Sequence, residues 1–330
     1  MLPIYKANNL HMNNYKLICI TPIKNESWIL DKFLTVTSLW ADHIILADQG
    51  STDDSVKIAG RFDKVIVVNN ELPYNEFERT KILLSAARAI EGDKIIFALD
   101  ADEIFTANYA DSPEWLTLQK LNKGDVILMD RVNVNAEHDT YFGKLKMMVG
   151  LVDDGISTIE ATSQAIIHNI RLPWPANSNS YHFKEIKVIH FDYVIQERTL
   201  SKLIWYQCFE KITFNHDDRY LLRKYRTFKT IEEYLTSVPS FQPKPEWFEG
   251  YKRKKIDLTS LKNPFLWWNY EVIKMMEEHG IQKFIYLDIH RIDWVKTAKE
   301  IGHHNPKMFF FKRSFQHRVI SKLKAILGRK

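Results

Sequence analysis

Cysteine is nearly absent from this 330-residue chain, occurring only as Cys19 and Cys208. Each falls inside an apolar strand or helix pattern, so no disulfide framework is indicated and a reducing, cytoplasmic setting is expected. Long apolar runs are missing too. None approaches the roughly 20 residues that cross a bilayer, and no signal peptide opens the chain. There is no internal repeat and no low-complexity tract. Glycine is lacking where a dinucleotide-binding chain needs it, because the first strand pattern runs directly into Thr21-Pro-Ile-Lys-Asn-Glu26. Without a G-x-G-x-x-G turn, backbone cannot close on a pyrophosphate there. The same segment lacks the Gly-rich, Arg- and Lys-bearing loop that a sugar nucleotidyltransferase carries after its first strand.

Present instead is a regular alternation of strand and helix patterns. Apolar runs at 16–21, 43–47, 64–69 and 94–99 read as strands. Between them lie helix patterns: one with Ile29, Phe33, Val36 and Trp40 in helical spacing, capped by Asn25 or Ser27; one capped by Ser51 or Thr52 and running to Arg61; and one over 75–90. Near-continuous apolar strands separated by amphipathic helices imply an α/β domain, a mostly parallel open sheet with helices on both faces. Thr21, Asp48, Asn69 and Asp100 end the four strands and share one edge of such a sheet, where ligands bind.

Asp100-Ala101-Asp102 occupies the last of these ends, with Glu103 following. A D-x-D pair is either a solvated acidic turn or a set of hard oxygen ligands that hold Mn²⁺ or Mg²⁺ against a diphosphate. In the absence of a Gly-rich cradle, a metal at Asp100 and Asp102 would offset the diphosphate charge.

With these residues the chain resembles the family 2 glycosyltransferases of GT-A fold. The matching pieces, in order, are 21–26, Asp48-Gln-Gly-Ser-Thr-Asp53, Arg79 within Phe77-Glu-Arg-Thr80, and Leu99-Asp-Ala-Asp-Glu103. The resemblance is good over 16–130. It implies transfer of a sugar from a nucleotide-diphosphate donor, a UDP-sugar by preference, to an acceptor hydroxyl with inversion. It further implies a donor site of Thr21, Ile23, Asn25, Glu26, Asp48, Arg79, Asp100, Ala101 and Asp102. In it Thr21 and Ile23 line the base pocket, Asp48 accepts a hydrogen bond from the pyrimidine, and Arg79 lies beside base and phosphates. Asp100 touches ribose or a metal-bound water, and Asp102 ligates the metal. The bland alternatives are that Asp48 and Asp53 cap a turn and that Arg79 is a surface charge.

Past residue 130 the alternation breaks. Residues 131–215 resemble the acceptor-binding part of the same domain, with a loop or edge hairpin at 133–142 and short strands at 164–168 and 186–190. The general base is sought among Asp153, Asp154 and Asp192, although Asp153-Asp154-Gly155 equally reads as a turn. His190 ends an apolar strand and is the candidate third metal ligand, or else a hydrogen-bonded core histidine. His168 is a weaker candidate, and His303-His304 reads as surface. Trp205, Tyr206 and the Trp267-Trp268 pair read as core rather than as sugar-stacking faces.

The net charge of +5 conceals an asymmetry. From 201 onward there are 26 Lys and Arg against 14 Asp and Glu; before it there are 20 against 27. After a short extension (1–15), the chain thus divides into a nucleotide-sugar half (16–130), an acceptor part (131–215) and a helical, basic region (216–330). Within the last, 308–330 carries Phe315, Val319, Leu323, Ile326 and Leu327 on one helical face amid unopposed Lys and Arg. That pattern fits an anionic membrane surface, and with it a glycan or lipid-linked acceptor, or else a terminal helix packed on the domain. No nucleic-acid motif accompanies the charge. A non-catalytic polyanion binder on a transferase scaffold is the remaining alternative, and the intact acidic pair speaks against it.

Overall fold

The computed structural model describes residues 14–72, 74–159 and 170–310. The extension up to residue 13, the strand at 164–168 with His168, and the amphipathic segment from 311 onward lie outside the described residues. The chain forms two compact units, Met1–Phe191 with Pro239–Phe265, and Asp192–Val238 with Leu266–Lys330.

The strands are β1 (Lys16–Ile23), β2 (His43–Asp48), β3 (Val65–Asn69), β4 (Lys94–Ala98), β5 (Glu103–Phe105), β6 (Val126–Val134), β7 (Tyr141–Val152), β8 (Ser180–His190) and β9 (Ser240–Phe241). Helices are α1 (Leu30–Thr37), α2 (Ser55–Ala59), α3 (Glu76–Arg88), α4 (Pro113–Leu116), α5 (Gln196–Thr213), α6 (Asp218–Lys224), α7 (Ile231–Leu235), α8 (Glu246–Arg253), α9 (Trp267–His279) and α10 (Trp294–Glu300).

All the strands belong to the first unit and make one sheet in the order β3-β2-β1-β4-β7-β6-β8-β5, with β9 on β7. The first four are parallel, as their unbroken apolar runs require. Beyond β4 the sheet is mixed: β7 is antiparallel to β4 and β6, β6 is parallel to β8, and β5 is antiparallel to β8. On one face, Leu83, Leu84 and Ala87 of α3 close a core with Ile18, Ile20, Ile45 and Ile96. Trp40, Phe97, Phe105 and Trp115 form an aromatic cluster with centroids 5.1–5.9 Å apart. Each fully buried aliphatic side chain in such a core contributes roughly 2 kcal/mol. Gly150 lets β7 pass between its neighbours, since a Cβ there would lie 2.9 Å from both Ile127 and Phe97. Both-face cover stops at β3, an end strand of the sheet order whose Ile66 and Val67 are exposed.

Helix starts differ from the sequence reading in two places. α1 begins after Ile29 with no side-chain cap, because Asn25 is used elsewhere. α2 begins only at Ser55, whose N–H donates to Asp53 Oδ1 at 2.9 Å, so neither Ser51 nor Thr52 caps it. α3 is capped as expected, Asn75 accepting from Phe77 N and Glu78 N.

In the second unit, α5 and α9 pack together and Trp205, Trp267, Trp268 and Cys208 are buried. These aromatics are core. Glu210, also buried, is satisfied by Lys224 at 2.7 Å, the Tyr225 hydroxyl at 2.6 Å and His216 at 3.1 Å. His303 is not surface decoration: its side chain is 8% exposed and pairs with Glu277 at 2.6 Å.

Candidate metal centre

Parallel register places Ile23 beside Asp48 and Asp48 beside Asn69, and Leu99 N donates to Ile20 O at 3.2 Å. The ends of β1, β2, β3 and β4 therefore lie along one edge. Two loops at this edge are tied by side chains. Asn25, at φ 57°, accepts from Thr52 N (2.7 Å) and Asp53 N (3.1 Å), and its own N–H donates to Ser51 Oγ (2.9 Å). Glu26 N donates to Ser55 Oγ at 2.8 Å, and the Glu26 carboxylate accepts from Trp28 Nε1 at 2.6 Å. Asp48 is buried and accepts from Ser51 N at 3.2 Å, which is the turn-capping arrangement. Thr21 and Ile23 are buried within β1. Arg79, in the first turn of α3, lies 3.7 Å from Glu76 and 5.7 Å over the Tyr74 ring.

The acidic turn reverses the chain from β4 into β5, and β5 pairs with β8 so that Glu103 faces His190. Asp102 O accepts from Phe191 N at 2.9 Å. This pairing brings His190 Nε2 to 3.6 Å from Asp102 Oδ1, both residues being buried. The neighbouring strand β6 sets Asn133 opposite His190, with Asn133 Oδ1 2.8 Å from Nδ1. An amide oxygen only accepts, so Nδ1 carries a proton and Nε2 is the ring atom turned towards Asp102. The 3.6 Å separation is too long for a hydrogen bond. It is near the ~3 Å between adjacent ligands on a cation with bonds of about 2.1 Å. Asp192 follows two residues along the chain, and one ligand atom from each of Asp102, His190 and Asp192 lies within 4.8 Å of the others. The carboxylates are ligands of the kind that suits Mn²⁺ or Mg²⁺. Asp192 also pairs with Arg198 (3.1 Å) and Lys202.

Asp100 is placed differently from the expectation that it ligates the metal. Its carboxylate pairs with Arg171, which also binds Glu103. Burial and the carboxylates of Glu103 and Asp102 push the Asp100 carboxyl up to about 6, against the pull of Arg171 and Arg79. Burial also opposes the charge on Glu103, but Arg171, Arg131 and His190 outweigh it and hold that carboxyl well below its usual range. Glu103 Oε2 in turn accepts from Asp100 N at 3.0 Å, fixing the turn.

Asp153 and Asp154 are at the wrong end of the sheet for a general base. Asp153 N donates to Lys94 O, at the start of β4, whereas Asp100 follows its finish. Six residues of extended chain separate them, about 20 Å. Asp153 binds Arg88 of α3 through Nη2 at 2.9 Å and Nε at 3.1 Å. Asp154 accepts from Ile156 N and Ser157 N ahead of a tight turn at Gly155 (φ 75°). The pair forms the turn that Asp-Gly offers. Glu103, Arg131, Asn133 and Arg171 went unmarked as site residues in the sequence; only Glu103 had a signal, its place directly after the acidic pair.

A family model, "Glycosyl transferase family 2", matches residues 18–217. The chain belongs to glycosyl transferase family 2. The matched stretch carries the strands from β2 to β8 and all but the first two residues of β1, and it includes Asp102, Asn133 and His190. No curated protein matches the chain. Among solved structures, glucosyl-3-phosphoglycerate synthase from Mycobacterium tuberculosis with Mn²⁺, UDP and glucosyl-3-phosphoglycerate is 20% identical over 42% of this chain and 52% of that one, with TM-score 0.28. The same enzyme with Mn²⁺, UDP-glucose and phosphoglyceric acid is 22% identical over 41% and 50%, TM-score 0.27. The chain thus spans about half the length of these structures, and overlap this small bears on neither substrate nor mechanism.

Proposed function

We propose that this family 2 member is an inverting, cation-assisted glycosyltransferase. It moves a sugar from a UDP-sugar to a hydroxyl of a glycan or lipid-linked saccharide. The observation that carries this reading is the pair Asp102 and His190 at the ligand edge of the sheet, with Asn133 fixing the histidine tautomer. A bound Mn²⁺ or Mg²⁺ supplies Lewis-acid stabilisation of the diphosphate as it leaves. Asp102 and His190 hold that cation, and Arg79 adds positive charge at the same edge. Asp48, in the buried turn beside β1, is the pyrimidine-side acceptor. The general base in this reading is Asp192, two residues after His190. Its carboxylate, oriented by Arg198 and Lys202, takes the acceptor hydroxyl's proton as the new C–O bond forms and the bond from the anomeric carbon to the diphosphate breaks. The basic segment beyond 310 docks the enzyme on an anionic membrane surface, where a lipid-linked acceptor resides.

Thermal unfolding with nucleotide diphosphates tests the reading. UDP is expected to stabilise the chain only when Mn²⁺ is present, and Asp102→Ala should abolish that effect. Stabilisation that persists in the variant without metal would remove Asp102 from the site. Released nucleotide diphosphate marks a transferase, whereas pyrophosphate would mark a nucleotidyltransferase.

A further inference from the structure

Arg171 reaches the acidic turn from a stretch with no strand or helix pattern. Its Nη2 donates to Asp100 Oδ2 and, at 3.2 Å, to Glu103 Oε1, while its Nη1 donates to Glu103 Oε2. Glu103 has no exposed surface and is neutralised from its other side by Arg131 at 3.2 Å. A guanidinium carries five N–H donors in a rigid fork. Among the described residues, three are committed, leaving Nε–H and one Nη1–H. The side chain remains 23% exposed. Asp100, Asp102 and Glu103 bring three negative charges and Arg131 with Arg171 returns two, so a diphosphate meets favourable charge here only with a cation beside Arg171.

A guanidinium anchored by two carboxylates cannot swing away into solvent, and its remaining Nε–H and Nη1–H, on opposite edges of the plane, each offer one charge-assisted hydrogen bond to a phosphate oxygen. We propose that Arg171 is a fixed phosphate-binding residue for the donor's diphosphate, held by Asp100 and Glu103 and sharing the leaving group's charge with the cation at Asp102 and His190. This rests on the reading of the edge as a nucleotide-diphosphate site.

Two calorimetric titrations on the full chain separate this role from scaffolding: Mn²⁺ alone, and UDP at saturating Mn²⁺. In Arg171→Gln one positive charge leaves the acidic turn, so Mn²⁺ should bind more tightly while UDP binds at least about ten-fold more weakly. Arg171→Lys keeps the charge and loses the fork. It should leave Mn²⁺ binding as in the wild type and still weaken UDP, and it decides the matter alone if the Gln variant does not fold. UDP affinity within two-fold of wild type in the folded variants overturns the proposal. So does a parallel loss of Mn²⁺ and UDP binding, the signature of a collapsed turn. A wild-type chain that binds Mn²⁺ but no UDP overturns the nucleotide reading itself, and this proposal with it.

Discussion

Asp102 and Asp153 are both buried carboxylates with a basic neighbour, and their positions along β4 give them opposite meanings. Asp153 straps the end of β7 to α3 through Arg88, far from the acidic turn. Asp153→Asn is therefore expected to keep UDP and Mn²⁺ binding and sugar transfer while losing about 1–2 kcal/mol of stability, because Arg88 loses its close carboxylate and keeps only Asp154 at 3.7 Å and the Ser157 carbonyl. Urea unfolding and a donor-binding titration check this; loss of transfer in a variant with full donor binding would restore Asp153 as a base. In the sequence the two acids are hard to tell apart. Asp-Asp-Gly offers a turn and a catalytic pair in the same letters, and only the register of β7 against β4 decides between them. Asp102 was legible because a D-x-D ends an apolar run. Arg171 was not, since an isolated arginine carries no periodicity and its partners lie 68 and 71 positions away.

At the level of elements, the first four strands were legible because a parallel strand covered on both faces must be apolar throughout. The rest of the sheet obeys no such rule. β5 has three residues, and β6 is bulged against both β7 and β8, which breaks the alternation by which a half-exposed strand is recognised. Yet this irregular part carries the histidine. β6 brings Asn133 to His190, and Gly143 of β7 makes room: a Cβ there would lie 2.6 Å from Asn133 Nδ2. Asn133→Ala is expected to weaken Mn²⁺ binding about 10–100-fold with little change in unfolding temperature, since the ring loses its orienting acceptor. Asn133→Asp keeps an acceptor and should restore binding. Equal affinities in all three proteins would mean that Nδ1 has no part in presenting the ring.

Over the whole molecule, charge is divided along the chain: a deficit of seven before residue 201 and an excess of twelve after it. No helix among the described residues is long and apolar enough to cross a membrane. The last acid is Glu300, and eight Lys and Arg follow it. Near an anionic leaflet each basic residue is worth about 1 kcal/mol, and salt screens the attraction within a Debye length of about 8–10 Å. The full chain should co-sediment with vesicles containing phosphatidylglycerol at low salt and much less at 0.5 M NaCl. Replacing Arg318, Lys322 and Lys324 together by Glu should cut that binding by about 100-fold or more while leaving UDP affinity unchanged, because these positions lie outside the matched family region. Undiminished sedimentation of the triple variant would assign the basic tail to the protein's own surface, and the acceptor would then have to reach the enzyme from solution.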